Sequence, residues 1–197
     1  MKHFKYFLPL IFGLFYNPIS YCQAPTLAEI EQRALEKARE LGDLLKIIGD
    51  KRNDRKIRQN AKDLAIDLFE SDSNKIEVIS KLSKKKSVFS IREYLNRLDH
   101  LPYDDVQIEW KYIQVVEDIK QKEDGSYYGK LRVYQLFEGQ GADKIAAYKD
   151  ITEKDIEVKI QDQQIETGLG AGRKYFNLKF GDMTVYRLLD DTDKNKP

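Results

Sequence analysis

Three kinds of hydrophobic spacing run along this chain, and each predicts a different kind of element. Near the start, Phe7 to Tyr16 is an unbroken run of ten uncharged residues, preceded by Lys2 and Lys5. From Leu27 the apolar positions fall three and four apart, at Leu27, Ile30, Ala34, Leu35, Ala38, Leu41, Leu44, Leu45 and Ile48. That spacing predicts a helix of about six turns with one apolar face. Gly49-Asp50 interrupts it, and Ile57, Ala61, Leu64, Ala65, Leu68 and Phe69 repeat the pattern, with Asn53 or Asp54 placed to cap free amides. The expectation is a pair of antiparallel helices.

After the polar break Ser71-Asp72-Ser73-Asn74, the short β-branched stretch Ile76-Glu77-Val78-Ile79 predicts a strand. Ser90-Ile91-Arg92-Glu93 matches a capping box, in which serine and glutamate each satisfy a backbone amide at a helix start. It opens a short helix to Leu98, which stops ahead of Pro102. Beyond it the spacing changes to alternation. Val106, Ile108, Trp110 and Tyr112 share one phase, whereas Ile113 and Val115 share the other, a slip that calls for a bulge or strong bend. Asp124-Gly125 predicts a tight hairpin with positive backbone angles, and Tyr127 to Phe137 returns antiparallel. Two long strands follow, Ile145 to Ile160 and Lys174 to Leu189, with polar interruptions at Asp150 to Asp155 and at Gly181-Asp182 that predict bends or bulges. The tail Asp190 to Pro197 is expected to be disordered.

The first apolar run is too short to span a bilayer, which takes about 20 residues. Its basic flank, the breaker Asn17-Pro18 and the small Ser20 and Cys22 form the tripartite pattern of a secretory signal, with cleavage expected after Cys22. Cys22 is the sole cysteine, so a lipid-anchored chain beginning there is a second reading, against which Tyr21 stands where such signals carry a small residue. With Cys22 removed, neither disulfides nor thiolate metal sites remain. The expected location is periplasmic or secreted. About 175 residues are left, enough for one domain, with 32 basic side chains against 33 acidic ones. Near-neutral charge gives no general attraction to nucleic acid. No second apolar run is long enough to cross a membrane.

The residues Phe69, Ile76-Glu77-Val78 and Ser80, followed by Ile91-x-x-Tyr94-Leu95-x-x-Leu98-x-x-Leu101-x-Tyr103-x-x-Val106-x-Ile108-x-Trp110, resemble exported bacterial members of the nuclear transport factor 2-like superfamily. Asp124-Gly125-x-Tyr127-Tyr128-Gly129, Gln135-x-Phe137-x-Gly139 and Tyr148-x-Asp150-x-Thr152-x-Lys154 continue the likeness, which covers residues 60 to 189. The resemblance implies an α+β, cystatin-like cone, with the helices packed in the concave face of a strongly curved antiparallel sheet and often a pocket at its open end. It divides the chain into a signal (1–22), an N-terminal helix extension (23–52), the superfamily domain (53–189) and the tail (190–197). The first helix exceeds the usual cone and is expected to pack outside it. Related cones serve as isomerases, dehydratases, transport adaptors and accessory domains, so fold alone does not select among them.

Chemistry narrows the choice further. His100 is the only histidine after the signal, which leaves a nucleophilic triad without partners. No calcium-loop spacing is present, and neither metal nor cofactor is expected. Gly168 to Gly172 lacks the strand-to-helix context of a phosphate loop and reads as a hairpin tip. The basic clusters Lys81 to Lys86 and Lys51, Arg52, Arg55, Lys56 and Arg58 read as solvated faces, with contact to anionic lipid or polysaccharide as the other reading.

The pocket candidates are Trp110, Tyr134, Gln135, Tyr148 and Asp150, because a buried carboxyl and a tyrosine hydroxyl suit ligand binding or acid-base work. Against that, Trp110 and Tyr134 read equally as core or sheet-surface aromatics, Gln135 as a cross-strand pair, and Asp150 with Thr152 as a bend. The expected function is an exported, non-enzymatic binding or accessory module that presents a pocket or sheet face to a protein or small ligand. The alternatives are a pocket enzyme of isomerase or dehydratase type, and a subunit of an envelope assembly touching its neighbours through Leu27 to Ile48. Partners therefore comprise an unidentified protein or small ligand, and a second copy paired through the sheet, but no nucleic acid.

Overall fold

The structure is a computed structural model describing residues 25–141, 146–165 and 173–189. The signal-like segment, the Gly168 to Gly172 tip and the tail from Asp190 lie outside the described residues. The elements run α1 (Leu27–Gly49), α2 (Arg55–Asp67), β1 (Lys75–Ile79), β2 (Lys86–Ser90), α3 (Ile91–Asp99), β3 (Asp105–Gln121), β4 (Tyr127–Gln140), β5 (Ala146–Ile165) and β6 (Arg173–Leu189). The strands form one sheet in the order β2-β1-β6-β5-β4-β3. Every pairing is antiparallel except that of β1 with β6. Helices packed against a six-stranded, mostly antiparallel sheet are the α+β arrangement that the sequence predicts.

Two capping boxes are formed among the described residues. Thr26 and Glu29 open α1, and Ser90 and Glu93 open α3, while Asp54 alone caps α2. The α1 box escaped the sequence reading, although Thr26-x-x-Glu29 carries the same signature as Ser90-x-x-Glu93.

The expectation that α1 packs outside the cone is corrected. Ala34, Ala38, Leu41, Leu45 and Ile48 are all buried, and the helix crosses β3. At Gly49 the approach is so close that a Cβ would stand 2.5 Å from the Val106 carbonyl oxygen. Its apolar stripe is therefore spent inside the fold, and only its charged face is left for any assembly contact. The stripe of α2 is narrower than its spacing predicts: Ala61, Ala65, Leu68 and Phe69 are buried, but Ile57 and Leu64 are exposed. Next to α2, Phe180 donates its N–H to the Leu68 carbonyl and accepts from Glu70, both at 2.8 Å, which fastens the helix exit to β6.

The slip in alternation on β3 is a bulge. The register with β4 shifts between Lys111 and Gln114, Tyr112 takes φ 50°, and its ring is turned outward while Ile113 and Val115 pack on the core. Of the interruptions predicted on the last two strands, the one at Gly181-Asp182 is a bulge on β6, opposite the step from Ile156 to Val158. A second bulge on β6 falls at Tyr186, opposite the step from Glu153 to Lys154, whereas β5 keeps its register with β4 through Asp150 to Asp155 and has no bulge there. Bulges of this kind bend a sheet and raise its twist. The hairpin after β3 differs from the tight turn predicted. Lys122 pairs with Ser126 around Glu123-Asp124-Gly125, and only Gly125 has positive φ, at 82°. This is a three-residue loop closed by a glycine bulge.

β2 is an edge strand that the sequence reading missed. Its three-residue core Ser87-Val88-Phe89 has little apolar signal, and the basic cluster beside it supplies the turn from β1.

Candidate pocket on the inner face of the sheet

The alternation of β5 decides what faces the helices. Ile160, Val158 and Ile156 are buried on the inner face, and the same phase carried back along the strand brings Lys154, Thr152 and Asp150 to that face. Three successive inward positions are thus polar where apolar residues would be expected. On β4 the inward set is Leu131, Val133, Gln135 and Phe137. These polar positions floor a cavity of about 340 Å³. Its sides come from Tyr94, Arg97 and Leu98 of α3, from Leu101 and Tyr103 beyond it, and from the β1–β2 turn.

Asp150 is 7% exposed, and the Tyr148 hydroxyl donates to its Oδ2 at 2.6 Å. The same hydroxyl accepts the Lys81 backbone N–H at 2.8 Å. Burial pushes the Asp150 carboxyl above its ordinary value, against the opposing pull of the Tyr148 bond and of the Lys154 and Lys81 charges. Burial, with the bond to Asp150, likewise raises Tyr148. Lys154 is 1% exposed, and its Nζ has no hydrogen-bond partner among the described residues. The Tyr94 ring lies 5.5 Å from that nitrogen, a cation–π contact. Burial pulls the ammonium down to about 8, against the charges of Asp150 and Glu77, which raise it.

The upper wall is aromatic. Tyr103, Phe137 and Tyr148 contact one another with ring centroids 5.8–6.5 Å apart. Gly139 makes room for them, since a Cβ there would stand 2.6 Å from the Tyr103 ring. Arg97 lies over the Phe89 ring at 4.3 Å and brings a second cation to the edge of the cavity.

The five sequence candidates therefore divide. Gln135, Tyr148 and Asp150 line the cavity. Trp110 stands behind it, donating from Nε1 to Gln135 Oε1 at 3.2 Å across the β3–β4 pair. Tyr134 is one residue out of phase with Val133 and Gln135, so it belongs to the outer face, where it meets the Tyr112 ring and the Glu153–Arg187 pair. There Arg187 grips Glu153 through two bonds of 2.7 Å, and Arg132 holds Asp155 at 2.6 and 2.9 Å. Tyr134 is thus not a pocket residue. Lys154 and Thr152 also line the cavity and are absent from the sequence candidates, and the phase of Ile160, Val158 and Ile156 is the signal that finds them.

His100 bonds the Asn96 carbonyl at the end of α3, away from the cavity lining. No cluster of metal-ligating side chains occurs among the described residues, and none of their helices is long and apolar enough to cross a membrane.

No family model matches the chain, and no curated protein matches it. Among solved structures, a periplasmic fragment of TraM is similar at a TM-score of 0.44 and 10% identity, over 76% of this chain and 95% of that one. The "Putative Scytalone Dehydratase" of Novosphingobium aromaticivorans is similar at a TM-score of 0.39 and 11% identity, over 82% of this chain and 91% of that one. At scores below one half, these likenesses assign neither family nor chemistry to this chain.

Proposed function

We propose that this protein is an exported, non-enzymatic binding module of the nuclear transport factor 2-like class, which holds a small ligand in the cavity between α3, the β1–β2 turn and β4–β5. The observation that carries the binding role is the cavity itself. It is open, about 340 Å³ in volume, aromatic on its walls and polar on its floor. Small-molecule sites combine these features, with apolar walls supplying affinity and a few polar groups fixing orientation. Export rests on the tripartite pattern of residues 1–22.

Thermal unfolding of the mature chain with indole, naphthalene and 2-naphthol tests the binding role. A rise in melting temperature is expected, and Ser87→Trp, which crowds the cavity from the exposed edge strand, should abolish it. No shift with any compound, or an equal shift in Ser87→Trp, would count against a ligand pocket.

A second reading, acid-base catalysis, is favoured by one specific feature, the buried Asp150 carboxyl beside Tyr148. The hydrogen-bond directions oppose it. Tyr148 spends its only hydroxyl proton on Asp150, so that proton is not available to stabilise an enolate. Exchange of α-protons of cyclohexanone in D2O, followed by NMR, should accordingly proceed no faster than in buffer. Protein-dependent exchange that disappears in Asp150→Asn would make the protein an enzyme.

A further inference from the structure

The floor of the cavity holds two hydrogen-bond donors that no described residue engages. Thr152 Oγ1 and Lys154 Nζ are both buried without a hydrogen-bond partner among the described residues. They stand two residues apart on the inner face of β5, about 7 Å along the strand. A native core rarely leaves such groups unmatched, because a buried donor without an acceptor loses its hydration and gains nothing back. A buried ammonium is the more costly of the two.

The charge around the cavity is also lopsided. Lys154, Lys85 and Arg97 line it against the single carboxylate of Asp150. Asp150 is already engaged through Oδ2 by Tyr148, so it does not neutralise the Lys154 end by direct contact. Instead it gives the floor a polarity, with an acceptor at the Asp150 end and donors at the Lys154 end.

We propose that the cavity binds a small carboxylate with an aromatic or apolar body, its two oxygens accepting from Thr152 Oγ1 and Lys154 Nζ and its body lying against Tyr103 and Phe137. This rests on the binding role proposed above. One ammonium and one hydroxyl match the two oxygens of a monoanion, whereas a dianionic phosphate would bring more charge than this floor offsets. Asp150 orients the ligand by repulsion, keeping the carboxylate at the Lys154 end.

The charged and titratable groups facing Lys154 are Asp150 on its own strand, Glu77 on β1 and Tyr94 on α3, with Arg97 and Lys85 in the cavity lining and the charge of Lys81 acting on Asp150. Since burial holds the free ammonium down to about 8, raising the pH through that value removes the charge the carboxylate needs.

The test is calorimetric titration of the mature chain with 2-naphthoate and its neutral isostere 2-naphthamide. At pH 7 the acid should bind roughly tenfold or more tightly than the amide, as expected of a charge-assisted pair in a dry site. Lys154→Met should erase that preference, and Thr152→Val should weaken the acid selectively. Acid binding to the unaltered chain should fall between pH 7 and pH 9.5. Equal binding of acid and amide, or a preference retained in Lys154→Met, would overturn the carboxylate assignment and leave the pocket standing. Failure of both probes to bind would overturn the pocket as well.

Discussion

Lys154→Met is expected to stabilise the fold at pH 7 by about 2 kcal/mol, although it removes a charge rather than adding a contact. The buried ammonium is pulled from 10.5 to about 8 in the folded chain. Each unit of such a shift corresponds to about 1.4 kcal/mol, so the charged form costs about 3 kcal/mol where both states are protonated. Part of the gain is offset, because Asp150 loses an opposite charge that lowers its pKa. The sign with pH is fixed by proton uptake. Below about 8 both folded and unfolded chains hold the Lys154 proton, and the full cost is present. Between that value and 10.5 the unfolded chain holds the proton and the folded chain releases it, so stability from this group rises with pH. Urea denaturation of both proteins at pH 7 and pH 10 reads this directly. The advantage of Lys154→Met should shrink at the higher pH. A variant no more stable at pH 7, with a constant gap across the range, would mean that Lys154 has a compensating partner in solution.

The second large effect concerns α1. Leu41→Ala should cost about 2–5 kcal/mol, the range for truncating a fully buried leucine whose cavity does not collapse. Leu41 is wholly shielded from solvent, whereas Leu27, on the first turn of the same helix, is 52% exposed. Leu27→Ala should therefore change stability by less than about 0.5 kcal/mol. Denaturation midpoints of the two variants separate a core helix from an appended one. Near-equal, small losses would return α1 to the role of an extension.

The elements were legible in the sequence wherever a local signal was redundant. The Ser90 box carried α3, and the phase slip between Tyr112 and Ile113 located a bulge to within a residue. Edge strand β2 was not legible, because a strand paired on one side only and facing water carries little apolar alternation. The site was half legible for a related reason. Polar residues occupy both faces of β5 from Asp150 to Asp155, so composition alone does not say which of them face the helices. Only the phase set by Ile156, Val158 and Ile160 does, and it selects Asp150, Thr152 and Lys154 while sending Glu153 and Asp155 outward. The same test applied to Leu131 and Val133 excludes Tyr134 and keeps Gln135. The burial of α1 follows from its nine-residue apolar stripe, which a helix outside the core has no means of covering, whereas the family likeness starts only near residue 60 and says nothing of where that stripe lies.

The place of β6 in the sheet has a kinetic consequence. The last of the described strands is the one that joins the β1–β2 hairpin to the other three, across a separation of about a hundred residues in sequence. Loops of that length close late, after local hairpins have formed. A chain emerging from a ribosome or threaded through a translocation channel would hold its two halves apart until residues near Met183 arrive, and the cavity they jointly enclose would be the last part of the molecule to acquire a shape.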